Sequence, residues 1–129
     1  MVINWADLFK IRIRELTEEQ TKHLIVKALV VQKILIKHHR EKNHIRLYTE
    51  FPITEGKVCD VYYENLKNKE AYAYEIQSKI TPKWLEDTKE KYKDWDVLYM
   101  KSSNWILIDL NKLSNEIENL SNEIKEIVL

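Results

Sequence analysis

The chain has 129 residues, 21 basic and 21 acidic, with 44% hydrophobic and 33% charged side chains, one glycine and one cysteine. That length and balance describe one domain with a single real core, and a net charge of zero argues against a general nucleic-acid coat protein. One glycine excludes a Gly-rich phosphate-cradling loop, and a lone Cys59 excludes a disulfide framework or a multi-cysteine zinc site and suits a reducing, cytoplasmic setting.

In chain order, Met1 to Leu16 reads as a short helix followed by the alternating run Phe9 to Arg14. Asp7 and the lack of a basic region ahead of an apolar core argue against a secretory leader. Thr17 with Gln20 three residues on forms a capping box, which starts a helix expected to run to about His39. Its broad apolar surface, through Leu24, Ile25, Leu29, Ile34 and Leu35, predicts burial against a sheet. Lys27, Gln32 and Lys33 interrupt that run, leaving it too short and polar to span a bilayer, so no membrane partner is expected. His23 and Lys27, four residues apart, stack on one helix face.

His44 to Thr54 reads as a strand, Thr54 to Lys57 as a hairpin turn carrying the one glycine, and Lys57 to Tyr63 as a second strand. A polar connection from Glu64 to Glu70 leads to a third strand, Ala71 to Lys79. Tyr72, Tyr74 and Ile76 share one face of it, while Ala71, Ala73, Glu75, Gln77 and Lys79 share the other. Thr81 and Pro82 then begin a helix to about Trp95, on which Trp84, Leu85, Thr88 and Tyr92 recur at helical spacing. Asp96 to Lys101 and Asn104 to Leu110 read as strands. The last segment is a helix with Leu113, Ile117, Leu120, Ile124 and Ile127 in a heptad seam. That stripe must be covered, either by its own domain or by a second copy in a homodimer.

The polar face of the third strand holds the chemistry. Antiparallel neighbours lie ~4.8 Å apart, so Asp60 and Glu75 can share one face within reach of one cation. Two carboxylates that close repel unless a proton or metal lies between them, and hard oxygen donors suit Mg²⁺, with Mn²⁺ as substitute. Lys37, Arg40, Lys42 and Arg46 make a basic run with two readings, a solvated helix end or a phosphate-contacting patch.

The element order α-β-β-β-α-β, with Asp60 in the second strand and Glu75-Ile76-Gln77 in the third, resembles the restriction-endonuclease-like PD-(D/E)XK nuclease superfamily. The similarity extends to His23-x-x-x-Lys27, Glu50, Cys59-Asp60, Glu75-Ile76-Gln77-Ser78, Tyr92 and Trp105-Ile106-Leu107, and is strongest toward the branch typified by the competence protein CoiA and small archaeal and viral nucleases. It covers roughly Thr17 to Leu110, with residues 113–128 as an added helix. The chain departs from the pattern at Cys59, where the family has Pro or Ala, at Gln77, which replaces a lysine, and at Thr88, which replaces a helix arginine.

The resemblance implies an α/β restriction-endonuclease-like core and a metal-dependent deoxyribonuclease. Asp60, Glu75 and the Ile76 carbonyl would hold the metal, which activates water and stabilises charge on the scissile phosphate. Gln77 would orient that water without titrating, and Lys79 or Lys27 would supply the missing cation. Glu19 and His23 are implied at a second metal site, and Glu50 as a supporting acid. Three rivals stand beside this reading: a Holliday-junction resolvase, an inert nucleic-acid-binding or assembly module of the same fold, and a plain α/β interaction domain.

Overall fold

A computed structural model describes residues 17–54, 56–93 and 104–129. The expectations for Met1 to Leu16 and for a strand at Asp96 to Lys101 lie outside these residues. Among the described residues the chain is α/β, with three α-helices and a mixed four-stranded sheet.

Helix α1 (Glu18–Lys37) starts at the expected capping box: the Thr17 hydroxyl accepts the Gln20 N–H at 3.1 Å, and the Gln20 side chain accepts the Thr17 N–H at 3.0 Å. Val26, Val30 and Ile34, at steps of four, are its fully buried residues. The burial is narrower than the sequence suggests, since Leu35 and Ile36 on the flank are exposed.

Strands β1 (Ile45–Thr54), β2 (Lys57–Asn65) and β3 (Glu70–Gln77) form an antiparallel meander. Gly56, at φ +73, supplies the left-handed residue between β1 and β2. Helix α2 (Pro82–Lys93) leads from β3 toward β4 (Trp105–Asp109), which joins parallel to β3 in the order β1-β2-β3-β4.

Strand β3 stops two residues short of Lys79. The Ser78 hydroxyl donates to Glu19 and the Ser78 carbonyl accepts from Asn111, so side chains replace the ladder there. Helix α3 (Ile117–Ile127) also begins later than expected. A short 3₁₀ turn occupies Leu110–Lys112, and the Lys22 ammonium ties the carbonyls of Leu110 and Leu113, each at 2.8 Å, so Leu113 precedes the helix.

The sheet is covered on both faces. One core joins Val26, Val30 and Ile34 of α1 and Leu120 and Ile124 of α3 to Val61, Tyr63, Tyr74, Ile76 and Ile108. The other joins Tyr92 of α2 to Cys59, Tyr62, Ala71 and Ala73. The two alanines leave room for Tyr92, which stacks on Trp105 at 5.6 Å.

Candidate active site

Side chains in a strand alternate between faces, yet Cys59 lies in the α2-side core and Val61 in the α1-side core. Strand β1 breaks in the same way, with Leu47 on the α1 side and Phe51 and Ile53 on the α2 side. The pairing Thr49↔Val61 and Phe51↔Cys59 places both breaks on one rung, that of Glu50 and Asp60. Glu50 has φ +50, the left-handed region that a non-glycine residue adopts rarely and at a cost. This rung turns both acids out of the regular alternation.

Helix α1 meets them with the His23/Lys27 pair. His23 Nε2 lies 3.4 Å from Asp60 Oδ1, and the Lys27 ammonium pairs with Glu50. The other Asp60 oxygen, Oδ2, accepts the backbone N–H of Ile76 at 2.7 Å. The β2–β3 ladder ends at Val61↔Tyr74, so the Asp60 carboxylate takes the place of the next strand partner. In a strand, the N–H and C=O of one residue point to the same side, so the Ile76 carbonyl faces this gap as well.

Glu75 stands opposite Asp60 in register but is held from the other layer. Its Oε1 accepts from both the Lys91 ammonium and the Tyr92 hydroxyl of α2. Lys91 also donates to the Val58 carbonyl at 2.6 Å, so it bridges β2 and β3 across their gap. Among the described residues no donor reaches Glu75 Oε2. The two carboxylates therefore do not stand together on one face, as strict alternation predicts. The break at Glu50 and Asp60 sends Asp60 toward α1, while Glu75 stays toward α2.

Electrostatics follow from these partners. Burial favours the neutral form of Asp60, but His23, the Ile76 N–H and Lys27 outweigh it and hold the carboxyl below its usual range. The hydrogen bond to Asp60 is the largest influence on His23 and raises it above the ordinary imidazole value. Glu75 is raised, by burial first and further by the Asp60 charge, despite Lys91 and Tyr92. Burial, with the Glu75 charge behind it, pushes the Cys59 thiol up to about 12, so it stays protonated and is a poor nucleophile or ligand near neutral pH. Tyr92 is likewise raised, by burial and Glu75, and remains a donor.

No family model, curated protein or solved structure matches the chain. What the site can do rests on its own residues.

Four of the residues singled out in the sequence come together here: His23 with Asp60, and Lys27 with Glu50. Glu75 lies at the same rung but is held from the α2 side. Gln77 is half-buried beyond Glu75, its amide donating to the Lys79 carbonyl at 3.3 Å. Lys79 is exposed and lies past the end of β3, so it does not share the strand face as expected. Glu19 sits one turn before His23 on α1, bonded to Ser78, and with Lys22, Lys79 and Asn111 lines a cavity of about 840 Å³ whose walls do not include Asp60 or Glu75.

The basic run lies at the far end of α1. There Lys37 donates to the Val128 carbonyl at 3.0 Å, and Arg46 lies 3.9 Å from Glu64. Arg40 and Lys42 are exposed.

Sequence reasoning missed Lys91. Its signal was present, because it follows Thr88 by three residues and precedes Tyr92, on the face that those two bury.

Among the described residues no group of three or more His, Cys, Asp and Glu side chains is gathered to hold a metal. The oxygens bordering the gap are the Asp60 carboxylate on the α1 side, the Glu75 carboxylate on the α2 side and the Ile76 carbonyl between the strands. As hard oxygens with an unclaimed Glu75 Oε2, they fit a magnesium-type cation that keeps several waters.

Proposed function

We propose that the chain is a metal-dependent deoxyribonuclease with a restriction-endonuclease-like core, and that Asp60, Glu75 and the Ile76 carbonyl hold Mg²⁺ or Mn²⁺. One observation carries this reading. Strands β2 and β3 part where Asp60 and Glu75 oppose each other, leaving the Ile76 peptide turned toward Asp60 and away from a strand partner. The three-stranded meander, the helix after it and the parallel β4 are in keeping with such a core.

The bound metal supplies an activated water and charge stabilisation at the scissile phosphate. The chain's own residues set the geometry. The Ile76 N–H and His23 orient Asp60, and Tyr92 orients Glu75. Lys27 neutralises Glu50 beside them, which limits repulsion toward an incoming phosphate. Gln77 can hold a water by hydrogen bonding but cannot take its proton.

Single-turnover cleavage of linear and four-way-junction DNA, with Mg²⁺ or Mn²⁺ and with chelator, tests the proposal. Asp60→Ala and Glu75→Ala are each expected to lower the rate by at least about 100-fold, in keeping with the loss of a metal's charge stabilisation. Circular dichroism should show the fold retained. Wild-type rates in either variant would end the nuclease reading, and preference for the junction would favour a resolvase.

A second reading has its own support. Each carboxylate already has a protein partner, His23 for Asp60 and the Lys91 ammonium for Glu75, so the network closes without a metal. That suits an inert nucleic-acid-binding or assembly module, for which DNA retention without cleavage in Mn²⁺ is the expected result.

A further inference from the structure

Resting on the nuclease reading, we propose that Lys91 is a displaceable counter-ion, so that this α2 lysine and the divalent cation compete for Glu75. Three observations lead there. The ammonium bonds Glu75 Oε1, at the carboxylate the metal needs. It has a second acceptor in place, the Val58 carbonyl at 2.6 Å, so it can leave Glu75 without going unpaired. Tyr92 donates to the same oxygen, so Glu75 keeps its orientation when the lysine departs.

Glu75 Oε2 is open to a cation with Lys91 in place, but the charges favour the exchange. The Asp60 charge acts on Glu75, and one ammonium on the α2 side offsets part of that repulsion. A divalent cation in the gap replaces it with two charges shared by both carboxylates. Keeping Lys91 on Glu75 at the same time would set two cations against one carboxylate, at close range and low exposure. The displaced ammonium remains beside the gap on Val58, where a lysine is otherwise missing because Gln77 stands in its usual place. A phosphate entering the gap would meet it there. In the absence of metal, Lys91 guards the site and fixes α2 to the sheet.

The test is Mn²⁺ binding, followed by calorimetry and by the spin resonance of free Mn²⁺, with no DNA present. Lys91→Met should bind Mn²⁺ about tenfold more tightly than the wild type, or more, while Lys91→Arg keeps the weaker affinity. Without metal, Lys91→Met should melt at a lower temperature than the wild type, and Mn²⁺ should raise its melting temperature by more.

Equal or weaker Mn²⁺ binding by Lys91→Met, with clear wild-type binding, would overturn the competition and leave the nuclease reading standing. No Mn²⁺ binding by either protein would overturn both. Binding by Lys91→Met alone would support the competition in its strongest form. If that variant does not fold, a wild-type crystal soaked in Mn²⁺ decides. A metal on Glu75 with the Lys91 ammonium moved to Val58 alone is expected, and a metal with Lys91 still bonded to Glu75 would refute the idea.

Discussion

Asp60 and Glu75 stand at one register position, yet their environments push them in opposite directions. Both are penalised by burial. Asp60 recovers because it accepts from His23 and from a backbone N–H, whereas Glu75 also carries the repulsion of Asp60 itself. The His23–Asp60 pair then sets a pH window. His23 is raised above 6.5, so its contribution is fully present below that value and is lost as pH rises through its folded value. Asp60 is lowered below 3.8, so its contribution is present above that value and is lost as pH falls through its folded value. His23→Gln in chelator should therefore destabilise most between the two ordinary values and progressively less in alkali. Urea melts of both proteins at about pH 5.5 and about pH 8.5 make the comparison. An equal gap at the two pH values would mean that His23 packs there without pairing. Lys91 was easy to miss in this residue set for a simple reason: a lysine on a helix is ordinarily solvated, and only its spacing from Thr88 and its place beside Tyr92 set this one apart.

At the scale of elements, the parts with strong local signals were readable. The Thr17/Gln20 box fixed the start of α1, and the single glycine marked the turn between β1 and β2. The rung of Glu50 and Asp60 was not readable, because nothing local marks a glutamate for φ +50. A Gly or Asn there would have given a signal; here tertiary contacts from α1 hold the strained residue in place. The same blindness shifted the start of α3, where Lys22 from a distant helix satisfies the carbonyls before Ile117. The heptad seam did announce a buried face, and its centre is used inside the chain: Leu120 and Ile124 pack with Val26, Val30 and Ile34. Ile124→Ala is accordingly expected to cost about 2–5 kcal/mol in denaturant unfolding. Ile117→Ala, at a residue 64% exposed, should cost far less. Equal costs would mean that Ile117 is covered too, as in the homodimer; a monomeric mass in solution would remove that partner.

For the whole molecule, the nuclease proposal raises the question of how a chain of zero net charge would engage DNA. The basic run Lys37, Arg40, Lys42 and Arg46 lies near the C-terminal end of α1, away from the gap between β2 and β3. Lys37 lies fourteen positions after His23 on α1, and a rise of 1.5 Å per residue puts them ~20 Å apart. At ~3.4 Å per base pair that distance spans about six pairs of a duplex, so one DNA can touch both only if it runs along α1. Nor are the four basic residues equivalent. All four are exposed, but the Lys37 ammonium donates to the Val128 carbonyl and Arg46 lies 3.9 Å from Glu64. Binding of Asp60→Ala protein to long duplexes, which removes cleavage from the readout, should weaken steeply with salt. Arg40→Ala and Lys42→Ala should each lower the magnitude of the log–log salt slope by roughly 0.7 to 0.9. Lys37→Ala and Arg46→Ala should change it less, since each first has to leave an internal acceptor. On a duplex shorter than about six pairs, which cannot reach from the gap to the basic end, all four substitutions should fall silent together. Equal slopes for every variant on long DNA would return the run to an ordinary solvated helix end. Equal losses on long and short duplexes would place the DNA across the basic end alone, away from Asp60 and Glu75.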